Sequence, residues 1–346
     1  MTISRFRVEN KPTKTRAISD TLVSLFAFLL IIVLLTNPAK YASKILEGLL
    51  LFATAVLPGL FPFMFLTKIL TNLGCVQKLA KKCGRLTKVL FNSPGIGAYT
   101  LIMSMLSGYP IGAKIIGDLH SNNLISDADA KKMITFSMTS GPAFVIGSVG
   151  ALMFGNALVG LVILISHFVS NILTGILFCK FSKTTSQIQI QTQNLPSNTA
   201  TSIDKILSDS MYSSIQSILI VGGFISVFYC FSEILIDLKI FDILSYIPSK
   251  LLEFMGAPAE IARGVMSGIV EVTRGAKELS TFFPLLPALS VSLTSALISF
   301  SGLSIIFQAK AFLSSTQIKT HFLIASKSVH AILSFLICLI ISSLVF

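Results

Sequence analysis

The sequence predicts an all-α integral membrane protein: about seven transmembrane helices plus two re-entrant hairpins, arranged as two inverted repeats. Three observations predict it. Several apolar stretches have membrane-spanning length, two apolar segments are interrupted by glycine, proline or charge, and a set of landmarks recurs in order in the second half.

Hydrophobic residues make up 53% of the chain and charged residues 12%, with a mean hydropathy of +0.82. A soluble globular domain carries roughly 25% charged residues, so a soluble fold is excluded. A helix needs roughly 20 apolar residues to cross the hydrocarbon. Open sheets are ruled out there because lipid cannot satisfy an exposed backbone edge, and the apolar runs are too long and too unbroken for barrel strands. The formal net charge of +12 sits mostly in short segments flanking apolar runs. Membrane orientation accounts for it without nucleic acid.

The N-terminal part, residues 1–44, carries Arg5, Arg7, Lys11, Lys14 and Arg16 ahead of a first span from about Thr21 to Leu35. No small-residue cleavage site follows Leu35, which predicts a retained helix rather than a cleaved signal peptide. The first repeat covers 45–181. Its opening span, Ile45 to Leu73, contains Pro58 and Pro62, and each proline removes a backbone hydrogen bond and should interrupt the helix. The stretch 75–89 interleaves Lys78, Lys81, Lys82, Arg85 and Lys88 with apolar residues, the pattern of an amphipathic helix lying on anionic headgroups. Pro94 to Leu119 is broken by Gly95, Gly97, Gly108, Pro110 and Gly112, which predicts a re-entrant hairpin lining a polar cavity. Two spans follow, Lys132 to Phe154 and Ala157 to Phe181. Residues 182–206 form a polar linker rich in Ser, Thr, Gln and Asn.

The second repeat, 207–346, follows the same order. A span from Met211 to Leu235 leads to an interfacial stretch, Ile240 to Phe254. An interrupted segment follows, Ile261 to Phe283, then two spans, Leu285 to Phe307 and His321 to Val345. Gly112-Ala113-Lys114 reappears as Gly275-Ala276-Lys277, Ser140-Gly141 as Ser301-Gly302, and His167 with Asn171 as His330 with Ser334. Lys68 and Lys114 are 46 residues apart and Glu233 and Lys277 are 44 apart, so the landmarks keep register, the signature of a duplication. An odd number of crossings per half inverts the second half. With the N-terminus cytoplasmic, the basic stretch 75–89, Lys131, Lys132, Lys180, Lys183, Lys205, Lys310 and Lys319 all fall inside.

Ionisable residues within apolar segments are costly and by default mark function, which singles out Lys114, Glu271, Arg274 and Lys277, with Thr273 beside them; the alternative is that they sit near hairpin ends and snorkel to the interface. Ser107, Gly108 and Tyr109, followed by Pro110, offer a hydroxyl and an unwound turn whose free amides can hold an anion. Thr139, Ser140 and Gly141 before Pro142 should break the following helix at mid-depth, with Ser301 as the counterpart in the second half. His167 and Asn171 share a helical face and make a proton-sensitive element or a helix-to-helix hydrogen bond. The cationic excess around the two interrupted segments favours a small anionic substrate.

Cys75, Cys83, Cys179, Cys230 and Cys338 lack metal spacing and read as packing residues. No metal, cofactor, Walker or nucleophile-elbow motif is present, so the sequence predicts neither an enzyme nor an ATP-driven pump. It is compatible with a homo-oligomer.

The stretches LPGLFPFMFL from Leu57, SGYPIGAK from Ser107, TSGPAFVIGSVG from Thr139, SHFVSN from Ser166 and, more loosely, EVTRGAKELS from Glu271 resemble sporulation integral membrane proteins of the YlbJ type. These belong to the nucleoside-recognition (Gate) group, which is similar to concentrative nucleoside transporters. The resemblance implies a cell-membrane protein of endospore formers needed for spore envelope and cortex maturation. It implies export of dipicolinate, a small aromatic dicarboxylate, across the outer forespore membrane. Likeness to the nucleoside carriers implies the hairpin architecture, while their base- and ribose-binding residues have no clear match here. The rival expectation is a non-transporting assembly or signalling protein of the spore envelope, because a fold alone does not establish transport.

Overall fold

The computed structural model describes residues 14–180, 202–254 and 256–346. The expected linker 182–206 and the cations Arg5, Arg7 and Lys11 lie largely or wholly outside the described residues. The chain divides into two compact units, residues 1–44 and 45–346. Every regular element among the described residues is helical.

Helix α1 (Lys14–Thr36) carries the expected first apolar segment. It is followed at once by α2 (Pro38–Asn72). Asn37 Oδ1 accepts from the Lys40 amide at 3.3 Å, and a proline at the first helical position needs no partner for a missing N–H, so Asn37-Pro38 starts the second helix as well as ending the first. Pro58 and Pro62 do not interrupt α2, contrary to expectation. The helix widens into a π turn at Phe52–Val56 just before Pro58, and a wider turn gives the pyrrolidine ring the room that α geometry denies it.

From α2 onward, one order of elements occurs twice. In the first half come α2, the cationic helix α3 (Cys75–Phe91), two short helices α4 (Gly97–Ser107) and α5 (Ile111–Ser121), a broken pair α6 (Asp127–Phe136) and α7 (Ala143–Met153), and the long α8 (Ala157–Lys180). In the second half come α9 (Ile203–Asp237), α10 (Ile240–Phe254), short α11 (Glu260–Val270) and α12 (Val272–Ser280), a broken pair α13 (Pro287–Phe300) and α14 (Gly302–Phe312), and the long α15 (Thr320–Val345). Helices of 11 residues are about 16 Å long, about half the hydrocarbon thickness, so neither α4–α5 nor α11–α12 is an ordinary span. Among the described residues five helices are long and apolar enough to cross a membrane: Pro38–Asn72, Ala157–Lys180, Ile203–Asp237, Pro287–Phe312 and Thr320–Val345. The single span expected over Lys132 to Phe154 is replaced by α6 and α7, because Ser137–Gly141 is non-helical and Pro142 cannot continue a helix from before it.

Helix α8 shows how such a chain is held. Leu161, Ile165, Val169, Leu173 and Leu177 recur every fourth residue and are exposed, while Ser166, His167, Ser170, Asn171 and Thr174 are fully buried. Lipid is as apolar as leucine, so the outward face gains nothing by hiding, and the inward face packs through small residues and hydrogen bonds. The halves also interlock. One core cluster joins Ile116 and Phe136 of the first half to Ile306 and Leu323 of the second. Another joins Val145 and Ile163 to Ile261, Ala276 and Val291.

Candidate solute site

Glycine seats the first hairpin on the helix break of its own half and closes the second hairpin on itself. Helix α4 ends at Ser107 because Gly108 turns left-handed, φ +74°, and a Cβ there would fall 2.7 Å from the Gly141 nitrogen. At Gly112 a Cβ would lie 1.6 Å from the Ser137 carbonyl oxygen, so backbone rests on backbone. In the second half a Cβ at Gly275 would lie 2.3 Å from Gly268 Cα, which presses α12 directly onto α11. The repeated Gly-Ala-Lys sequences therefore serve packing through their first two residues, Ala113 and Ala276 being buried.

A broken helix leaves carbonyls and amides without partners, and in the absence of water these must be met by side chains. Around Ser137–Gly141 four residues meet them. Asn171 Nδ2 donates to the Phe136 carbonyl at 2.7 Å, and Lys327 Nζ donates to the Met138 carbonyl at 2.8 Å. The Thr139 amide donates to Ser104 Oγ at 3.1 Å, and the Ser140 amide to His167 Nε2 at 2.9 Å.

The last of these bonds fixes the imidazole tautomers. Because His167 Nε2 accepts, the neutral ring carries its proton on Nδ1 and donates to Ser299 Oγ at 2.7 Å. His330 Nε2 faces the His167 carbonyl at 3.0 Å and must donate, so its Nδ1 accepts from Lys327 Nζ at 3.0 Å. Lys327 Nζ also reaches the Tyr109 hydroxyl at 3.4 Å, which donates to the Ile298 carbonyl at 2.9 Å. One buried chain of hydrogen bonds thus ties the first hairpin tip, both helix breaks, α8 and α15.

Beside this chain lies a cleft. Gly108 and Tyr109 of the first tip, Ser140 and Gly141 of the first break, Glu271 and Thr273 of the second tip, and Ile298 ahead of the second break all line it. Ser304 and Gln308 of α14 add a hydroxyl and an amide that the sequence did not single out, and Val56, Leu60 and Ile225 close it with apolar surface. Glu271 is 1% exposed and caps α12, its carboxylate accepting from the Arg274 amide at 2.7 Å. A carboxylate at a helix N-terminus is stabilised by the free amides and by the dipole. The free volume is about 50 Å³, room for a few waters at about 10–15 Å³ each.

The other expected residues lie elsewhere. Ser107, Thr139 and Ser301 are buried beside the cleft without lining it. Lys114 is half-buried on α5, and Lys277 is exposed. Arg274 is held by Glu233 at 3.1 Å and Glu278 at 2.8 Å, lies over the Tyr229 ring at 4.6 Å and donates to the Tyr229 carbonyl. His167 and Asn171 meet the first break rather than the cleft. Lys327 escaped the sequence reading, although a lysine three residues before the repeat-related His330, inside a span, was signal enough. Among the described residues no group of His, Cys, Asp and Glu could hold a metal ion.

Residues 53–177 match the family described as nucleoside recognition (Gate). The chain is 28% identical over 318 residues to the sporulation integral membrane protein YlbJ of Bacillus subtilis (strain 168), covering 87% of this chain and 78% of that protein. Among solved structures it is similar to CNTnw in an intermediate state, with a TM-score of 0.57 at 15% identity over 93% of this chain and 85% of that one. It is also similar to CNTnw in an outward-facing state, with a TM-score of 0.56 at 15% identity over 95% and 86%. At that identity the likeness is one of fold. Residues 53–177 are therefore similar to the nucleoside-recognition (Gate) family, within an all-helical integral membrane protein whose fold is like that of CNTnw.

Proposed function

We propose that this protein is a secondary-type carrier or facilitator that moves a small anionic metabolite, with dipicolinate the first candidate, across a membrane of the developing spore. One observation carries the reading: a single cleft is walled by both hairpin tips, the first helix break and the helices flanking the second break, the arrangement in which discontinuous helices form a midplane substrate site. The sporulation setting is taken from the relative's name. Preference for an anion rests on Lys327, which is buried while the ion pairs among the described residues all belong to other cations. Lys327 lies behind the cleft wall, bonded to Tyr109, and a buried cation without a carboxylate partner favours an anion nearby. Arg274 cannot supply that charge, being neutralised by two carboxylates. The free volume of the cleft implies that the hairpins part to admit a ring. In the same reading the N-terminus is cytoplasmic, and the exposed Lys78, Lys81, Lys82, Arg85 and Lys88 of α3 lie on anionic headgroups.

Glu271, Gln308 and Ser304 favour a second reading, a neutral hydrogen-bonding solute of the nucleoside class, because a carboxylate and an amide pair well with hydroxyl and ring N–H donors. Reconstitution of the full chain in liposomes separates the two. Saturable dipicolinate flux that Lys327→Met abolishes and nucleosides do not compete supports the anion carrier. Nucleoside flux lost in Glu271→Ala supports the second reading. Absence of flux for dipicolinate, nucleosides and other small anions overturns both, and leaves an assembly role in the spore envelope.

A further inference from the structure

Lys327 is the buried ionisable group on which the most structure converges and for which a passive role is hardest to find. It is 4% exposed on a helix otherwise free of charge between Lys319 and the C-terminus. Its ammonium has three N–H donors, and three acceptors surround it: the Met138 carbonyl at 2.8 Å, His330 Nδ1 at 3.0 Å and the Tyr109 hydroxyl at 3.4 Å. These come from the first helix break, from α15 itself and from the first hairpin tip. Donor and acceptor counts match only while the nitrogen is protonated. A neutral amine keeps two N–H groups and a lone pair, so one acceptor loses its donor. The longest bond, to Tyr109, is the one to go.

We propose that Lys327 is a proton-operated latch on the first hairpin: with a proton bound, its ammonium pins the Tyr109 hydroxyl and holds the tip closed over the cleft, and loss of that proton frees the tip. The step is a single proton taken up or released on Nζ, with no other bond made or broken. Tyr109 makes the latch mechanical. Its hydroxyl bridges Lys327 to the Ile298 carbonyl of the second break and its ring, 5.3 Å from Nζ, lies at the cleft wall. The titratable and charged groups facing Lys327 are His330 on its own helix, His167 on α8, whose ring centroid is 4.7 Å from that of His330, and Tyr109 on the hairpin. Helix α13 contributes none, its nearest polar group in the chain being Ser299. The cations of α6 are engaged away from the site, Lys131 over Phe322 and Lys132 on the Asn92 carbonyl. The carbonyls freed at helix breaks are where carriers hold coupling cations, and Lys327 Nζ occupies one of them, that of Met138. Here the chain brings its own cation, so the hairpin should respond to pH and not to sodium.

The inference rests on the carrier reading for its purpose but not for its test, which is hydrogen exchange of the amides of residues 104–112 in the full chain in nanodiscs, corrected for chemical exchange. In the wild type, protection should fall by about tenfold or more as pH rises from acid to alkaline, the effect of losing one hydrogen bond to a charged group. Replacing sodium with choline should change nothing. Tyr109→Phe should exchange fast at every pH. Lys327→Arg, which stays charged, should remain protected at every pH. A wild-type pH profile retained in both variants overturns the latch, and so does protection that follows sodium rather than pH. Liposome flux is read separately. No flux with an intact latch removes only the carrier reading, and flux with a pH-indifferent hairpin removes only the latch.

Discussion

The two helix breaks occupy equivalent places in the duplicated order and are solved by different physics. The first opens five residues, Ser137–Gly141, out of helical geometry and recruits Ser104, His167, Asn171 and Lys327 to meet its backbone. The second is a two-residue kink in which Ser301 and Gly302 are both left-handed, φ 74° and 71°, and the Ser301 amide stays bonded to the Leu297 and Ile298 carbonyls. Duplication conserves where a chain is weak while leaving free how the weakness is compensated. The first break depends on distant side chains, whereas the kink at Ser301 keeps its amide paired within its own helix.

The contrast is broken most severely at Gly112. Gly112→Ala should drive a Cβ into the Ser137 carbonyl and cost more than about 3 kcal/mol, seen as loss of monodisperse protein or a collapsed melting transition in detergent. His167→Phe keeps an aromatic ring at the cost of some added volume, and leaves the Ser140 amide and the Ser299 hydroxyl unpaired, at about 1–3 kcal/mol for each orphaned group. The equivalent-helix change Ser334→Ala removes a hydroxyl pair with Ser295 and a longer bond to the Ser295 carbonyl, and should stay within about 1 kcal/mol. Equal losses at the two positions would abolish the asymmetry. Gly302→Ala places a side chain at φ +71° and should cost about 1–2 kcal/mol. Smallest is Ser301→Gly, which relieves a left-handed residue against a looser unfolded chain. A net rise in thermal stability of under about 1 kcal/mol is expected.

Much of this was legible in the residues. Gly108 and Pro110, and Gly141 with Pro142, mark the turns that the structure makes, and the recurrence of Gly-Ala and Ser-Gly gave the second half its register. Charge was harder to place. Lys114, Arg274 and Lys277 stand in interrupted apolar segments, and the sequence does not say which way a short helix turns its sides. The structure turns Lys277 outward and gives Arg274 two carboxylates, one of them, Glu233, from 41 residues away. Lys327 poses the opposite problem. A lysine within a span is conspicuous in the sequence, but its partners Tyr109 and Met138 lie 218 and 189 positions away, separations that no local periodicity reveals. The prolines of α2 misled because a π turn absorbs them, and nothing in the composition of Phe52–Val56 announces a wider turn.

The bond from Tyr109 to the Ile298 carbonyl spans 189 residues. At roughly 5–20 residues per second of synthesis, the ribosome delivers the acceptor about 10–40 s after the donor. Throughout that interval the first half is made without the carbonyl that closes this seam, so the seam is sealed only after most of the second half has been synthesised.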